Sequence, residues 1–374
     1  MITHERLTLF LCGDVMIGRG VDQILSHSCS PCLHEPIARS ALQYVALAEQ
    51  AHGPVPRSVN EGYIWSTGRE VLDRERPDAR IINLETSITT SEDADPKRIN
   101  YRMHPGNVPV LAAARIDCCV LANNHVLDWG RAGLVETLDS LDRAGIRVAG
   151  AGRDLRAAQA PAVLEADNGQ RVLVFAFGAT DSGIPQDWAA DGARAGVHLL
   201  PDFSGTAVEG LARLVLKAKR PGDVAVASVH WGGNWGFDIP SAHRRFAHAL
   251  IDRAGIDVVH GHSSHHPKAI EVYRNRPILY GCGDFLNDYE GIGGYEEFRA
   301  DLVLMYFATI DLSTAHLLRL KLIPLQIRNL RLRHPSAWDR AWLHDTLDRE
   351  CRRFGCHIAR GGDAWMIEWG GSRS

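Results

Sequence analysis

Leu7–Asp14 reads LTLFLCGD: an apolar run broken only by Thr8, then Gly13, then the carboxylate of Asp14. A run of this length reads as a strand buried on both faces. The same design recurs. CCVLANN leads to His125, VAVASV ends in His230, and IDVVHGH ends in His262 with His265 three residues on. Buried strands of an α/β fold present such terminal residues at one sheet edge, where ligands bind. The pattern predicts an α/β protein with a metal site built from strand ends.

The 374 residues are 45% hydrophobic and 23% charged, enough for a large core. A net charge of −4 argues against a nucleic-acid surface or a face drawn to membranes. No window is apolar for long enough to span a bilayer, and the N-terminal stretch enters a strand without a signal-type segment, so a cytoplasmic protein is expected. Of the eight cysteines, Cys118 and Cys119 are adjacent in a strand and face opposite ways. Cys29 and Cys32 have a metal-like spacing without a partner pair, and read as reduced thiols in a loop.

Strands are expected at 7–12, 79–85, within IDCCVLA, at 162–166, 171–177 and within VAVASVH and IDVVHGH, then a hairpin 269–273/277–281 and strands near 301–311 and 317–326. Helices are expected at 38–52, 65–76, 107–114, from Ala132 to Gly145, at 206–219, 240–254 and near 337–353. One domain over 1–330 is expected, with 26–62 as an insertion or lid over the site. Residues 331–374 read as a helical extension packed on the same domain. Helix and strand alternate early and paired strands dominate later, so the sheets should be mixed, with helices outside.

The polar residues cluster by motif. Asn83 and Glu85 share one face of their strand, an oxygen pair suited to a hard cation. Asn124 can ligate or hold a substrate oxygen, His125 can serve as a general acid, and Asp128 can orient its ring. His230, His262 and His265 are the imidazole candidates; His260 and His266 stand behind them or at the surface. Gly13-x4-Gly18 lacks the Lys-Ser/Thr of a phosphate loop. Asn83, Arg102, Asn123, Trp231, Asn234 and Asp284 complete the set as groups that contact substrate or support the ligands, Asp284 by bonding a metal-bound histidine.

With these motifs, the chain resembles the CapA family of proteins associated with poly-γ-glutamate capsule synthesis, within the calcineurin-like metallophosphoesterase superfamily. The resemblance spans residues 7–311 and rests on GDVMIGR (13–19), NLE (83–85), ANNHVLDWG (122–130), HWG (230–232), GHSSH (261–265) and GCGDF (281–285). It implies a four-layer α/β/β/α sandwich of the metallo-dependent phosphatase type, with a metal site, often dinuclear, at the strand ends. It implies Asp14, Glu85, Asn124, His230, His262 and His265 as metal-site residues, and His125 as the acid near substrate with Asp128 behind it. The chain departs from the superfamily pattern at Met16, where a histidine is usual, at NLE, where a bridging aspartate is usual, and at Ser263-Ser264-His265, where CapA proteins commonly read His-Pro-His. One or two divalent ions (Mn, Mg, Ca or Zn) are implied.

Three functions stay open at this stage. Metal-activated water could hydrolyse a carboxylate-bearing peptide or glutamyl polymer. A metal-assisted epimerase could instead abstract a Cα proton, with Asp14 and a histidine as the acid–base pair. A non-catalytic protein could bind an anionic polymer. The sequence does not define the oligomeric state.

Overall fold

Alternation along the strands builds the layers. The computed structural model describes residues 6–166 and 169–370; the ends of the expected 1–330 and 331–374 units, at 1–5 and 371–374, lie outside the described residues. In the strand Arg6–Val15, Leu7, Leu9 and Leu11 face one core, and Phe10 and Cys12 face another. Cys118 and Cys119 divide the same way, as expected of neighbours on a pleat. In the second sheet, Val172, Val174, Val224 and Val226 share the core of Leu7 and Leu9, while Leu173, Phe175, Ala225 and Val229 face outward. The outward faces pack on helices. Leu134 and Leu141 of Gly130–Arg143 cover the first sheet; Leu211 of Gly205–Ala218 and Phe246 and Leu250 of Ser241–Ala254 cover the second. The result is the four-layer α/β/β/α order expected from the sequence.

The first sheet runs, in spatial order, Cys356–Ala359, Trp365–Trp369, Leu317–Ile327, Leu302–Asp311, Arg6–Val15, Ala79–Leu84, Cys118–Val120, Arg147–Ala149. Its last four strands are parallel and the others antiparallel. In the second sheet Arg171–Ala179, Val224–His230, Val258–His262 and Arg276–Leu279 are parallel neighbours. The parallel strands of both sheets therefore release their C-termini toward one edge of the sandwich.

Two expectations need amending. The segment after 331 is not merely helical. After the helix Ala337–Arg352, Cys356–Ala359 and Trp365–Trp369 extend the first sheet. Its Leu343, Leu347 and Cys351 join the core between the sheets. The helix expected at 38–52 starts at Leu42. Residues before it fold back instead, with Leu33 N–H donating to Arg39 O and Ala41 N–H to Pro31 O. All eight cysteines are free, six of them buried.

Candidate metal centre

Strand register assembles the site. Asp14 stands opposite Asn83 in one parallel pair and opposite Asp284 in another, and a register shift after Leu11 re-aims the chain just before it. His230 stands opposite His262. Gly13 makes the Asp14–Asp284 pairing possible: a Cβ there would lie 1.7 Å from the Gly283 carbonyl oxygen. Ser263, held at φ +101°, turns its N–H onto Asp14 Oδ2 at 3.2 Å and so bridges the two sheets. His260 bridges them again, with Nε2 2.7 Å from Cys12 O.

Two groups of side chains offer ligand atoms that all lie within 4.8 Å of one another: Asp14, His230 and His262, and Asp14, His265 and Asp284. Asp14 belongs to both. His230 Nδ1 and His262 Nδ1 are 2.8 Å apart, and Asn124 Oδ1 is 3.0 Å from His230 Nε2. Glu85 Oε2 lies 3.9 Å from His230 Nδ1, and Oε1 lies 3.9 Å from His125 Nε2. Asn83 donates to Asp14 Oδ1 at 2.8 Å and to Glu85 Oε2 at 3.0 Å, and is itself held by Asn123 Nδ2 at 2.9 Å.

This donor set fits a divalent cation. Burial, then the charge of Asp284, pushes the Asp14 carboxyl up to about 7. Burial and the charge of Asp14 push Glu85 well up. A positive ion among these oxygens would supply the missing charge compensation. Burial, with the neighbouring histidines, holds His230 and His262 well below the usual imidazole range, which leaves neutral rings with lone pairs to give. Mixed oxygen and imidazole donors suit Mn²⁺ or Zn²⁺ as well as harder ions.

Two imidazole–carboxylate pairs flank the cluster. His125 Nδ1 is 2.7 Å from Asp128 Oδ2, and His265 Nδ1 is 2.9 Å from Asp284 Oδ1. Burial lowers His125 to about 4; Asp128 opposes this and Lys97 adds to it. Burial alone would lower His265 too, but the charge and hydrogen bond of Asp284 carry it upward.

The six residues expected as ligands thus meet in one cluster, with His125, Asn83 and Asp284 in contact with it, Asp128 behind His125 and Asn123 behind Asn83. Three other candidates lie elsewhere. Arg102 covers the Trp129 ring at 3.8 Å and pairs with Glu92 at 2.9 Å. Trp231 turns to the helix layer, stacks on His243 at 4.7 Å and donates to Tyr280 O. Asn234 exposes its side chain and offers only its carbonyl, to His265 N–H at 3.0 Å. His260 and His266 are buried rather than exposed. Lys97 was missed: its ammonium lies 2.5 Å from Asp128 Oδ1 and 3.3 Å from His125 Nδ1, and contacts Asn124 O. A lone lysine in a polar loop carries no sequence signal for such a place.

The layers and the buried carboxylate–imidazole cluster define an α/β/β/α sandwich protein with a metal-type centre at its strand ends. Residues 8–289 match the family model described as bacterial capsule synthesis protein PGA_cap, and the chain belongs to that family. It is 48% identical over 354 residues to a probable polyglutamine synthesis accessory protein of Mycobacterium tuberculosis, covering 94% of this chain and 93% of the relative. It is 31% identical over 210 residues to the PGA biosynthesis protein CapA of Bacillus subtilis, covering 55% of this chain and 52% of that one. Among solved structures it is similar to a phosphatase from Mycoplasma pneumoniae, at 12% identity and a TM-score of 0.47, covering 90% of this chain and 98% of that one. Among the described residues, no helix is long and apolar enough to cross a membrane.

Proposed function

We propose that this chain is a metal-dependent hydrolase acting on a glutamyl polymer or another carboxylate-bearing peptide. One observation carries the reading: two ligand clusters share Asp14, and the His125–Asp128 pair stands beside them. Asp14, Glu85, Asn124, His230, His262, His265 and Asp284 would hold one or two divalent ions. A bound ion would activate a water molecule and polarise the scissile carbonyl. The substrate class is drawn from the relatives named for polyglutamine and PGA synthesis.

The chain's own residues would move the proton. Asp128 holds the Nδ1 side of His125, which leaves Nε2 facing Glu85 and the cluster. A neutral ring accepts a proton at Nε2 as water attacks, then returns it to the leaving nitrogen. Asn124, held by His230, presents its amide beside the same space. Burial of the cluster excludes bulk water and strengthens each of these interactions.

A second reading has its own support. The two imidazole–carboxylate pairs, His125–Asp128 and His265–Asp284, give the site two proton-handling groups, and epimerisation at a Cα needs one on each face. One experiment separates the readings. Metal-loaded protein is incubated in D₂O with poly-γ-glutamate and with polyglutamine oligomers, and the products are weighed by mass spectrometry. Metal-dependent shortening without Cα deuterium supports hydrolysis. Intact chains carrying Cα deuterium overturn it in favour of epimerisation. No turnover, with retained binding, leaves a polymer-binding protein.

A further inference from the structure

We infer that Arg19 is a positioning residue of the metal centre, and that the insertion 26–62 supplies half of the socket that holds it. The inference rests on the metal reading above. Arg19 belongs to the GDVMIGR stretch, yet it does not face substrate space. Its side chain is 2% exposed. Nε and Nη2 fork onto Asp288 at 3.1 and 2.5 Å, and Nη1 reaches Glu35 of the insertion at 3.0 Å. The Gly20 N–H joins Asp288 at 2.9 Å. Tyr44, also of the insertion, lies 3.8 Å under the guanidinium carbon and donates its hydroxyl to the other Glu35 oxygen.

The guanidinium carbon also lies 4.5 Å from the centre of the Tyr101 ring. Tyr101 donates its hydroxyl to Tyr289 at 2.9 Å, and its backbone N–H to Asp128 Oδ2 at 2.6 Å. The Tyr101 ring stands edge-on to His125, with centroids 4.6 Å apart at 83°. Tyr289 stands edge-on to His265, at 5.3 Å and 79°. One fixed cation therefore braces the two aromatic rings that set the planes of the proposed proton carrier and of one proposed ligand.

Buried ion pairs of this kind rarely add net stability over an apolar filling. Here the polar network lies where two imidazoles must be steered, and groups behind metal ligands tune affinity strongly. Lysine cannot replace the fork, because it offers a point charge with no planar face to stack on the tyrosines.

The test uses the full chain stripped of metal and titrated with Co²⁺ alone, read by affinity and by the visible absorption of the bound ion. Four proteins are compared: wild type, Arg19→Lys, Glu35→Gln and, as a distant core control, Leu347→Ala. The expected result is about 10-fold or greater loss of Co²⁺ affinity in Arg19→Lys and Glu35→Gln, with an altered absorption band in protein that is folded by circular dichroism. Leu347→Ala should melt earlier with the wild-type band. Should Arg19→Lys fail to fold, Glu35→Gln decides alone, since it leaves the Asp288 fork in place. Wild-type affinity and band in Glu35→Gln would overturn the inference. Absence of Co²⁺ binding by wild type would instead remove the metal reading and this inference with it.

Discussion

Replacing Asp14 with Asn should make the metal-free protein more stable at pH 8. Asp14 is fully buried, with Asp284 and Glu85 as neighbours, and its carboxyl sits at about 7 against an ordinary 3.8. The folded chain therefore keeps a proton that the unfolded chain loses between these values. Stability falls as pH rises through that window, because the native state binds more protons than the unfolded state. At about 1.4 kcal/mol per pH unit, the full effect is about 4 kcal/mol at pH 8, an upper figure because water and side chains relax around a buried charge. Asn has one acceptor oxygen, so it keeps one of the two bonds that Asp14 now accepts, at Oδ1 from Asn83 Nδ2 and at Oδ2 from Ser263 N–H; losing the other, at about 1–3 kcal/mol, offsets part of the gain. The assay is urea unfolding of chelator-treated wild type and variant from pH 4 to pH 8. The stability of the variant minus that of wild type should rise with pH across this range, which isolates Asp14 from the other titrating groups, and the variant should be the more stable protein at pH 8. An Asp14→Asn protein that is less stable than metal-free wild type at pH 8 would refute the reasoning.

Other outcomes follow from single contacts. His198 is buried and held at about 4, below its unfolded value of about 6.5. Its contribution is complete above pH 6.5 and is lost as pH falls toward 4, about 3 kcal/mol in all; His198→Gln should make that acid loss smaller by this share in urea unfolding at pH 7 and pH 4.5. Gly13→Ala would force a Cβ against Gly283 O and should cost about 3 kcal/mol or more, seen as a large drop in Tm or loss of folded protein. Asp128→Asn should keep the bound metal but lower turnover of a glutamyl substrate by about 10²–10⁴-fold; unchanged kcat would remove Asp128 from the mechanism.

The convergence of the proposed ligands is legible because a strand end has a direction. Asp14, His230 and His262 each close an apolar run, and parallel register lays them side by side. Where direction was ignored, the reading failed. Trp231 follows His230 directly, so the pleat sends it to the opposite face, into the helix-side core. Arg102 and Asn234 lay near motifs in sequence, but one covers Trp129 and the other points to solvent. Contacts formed between distant segments left no trace: Lys97 against Asp128, Glu35 and Asp288 against Arg19, and Tyr289 against His265 each bring a motif residue a partner from outside the motifs. The C-terminal strands were hidden for a similar reason. Cys356–Ala359 and Trp365–Trp369 are short, flank a glycine-containing turn, and gain their place from the first sheet's edge.

The most direct test is to count metal in the purified protein by elemental analysis, before and after Asp14→Ala. One or two equivalents of a divalent ion per chain are expected in wild type, restored after chelation by adding the ion back, and lost in the variant. A wild-type chain that is folded yet takes up no divalent ion, or a variant that retains the wild-type content, would contradict the account.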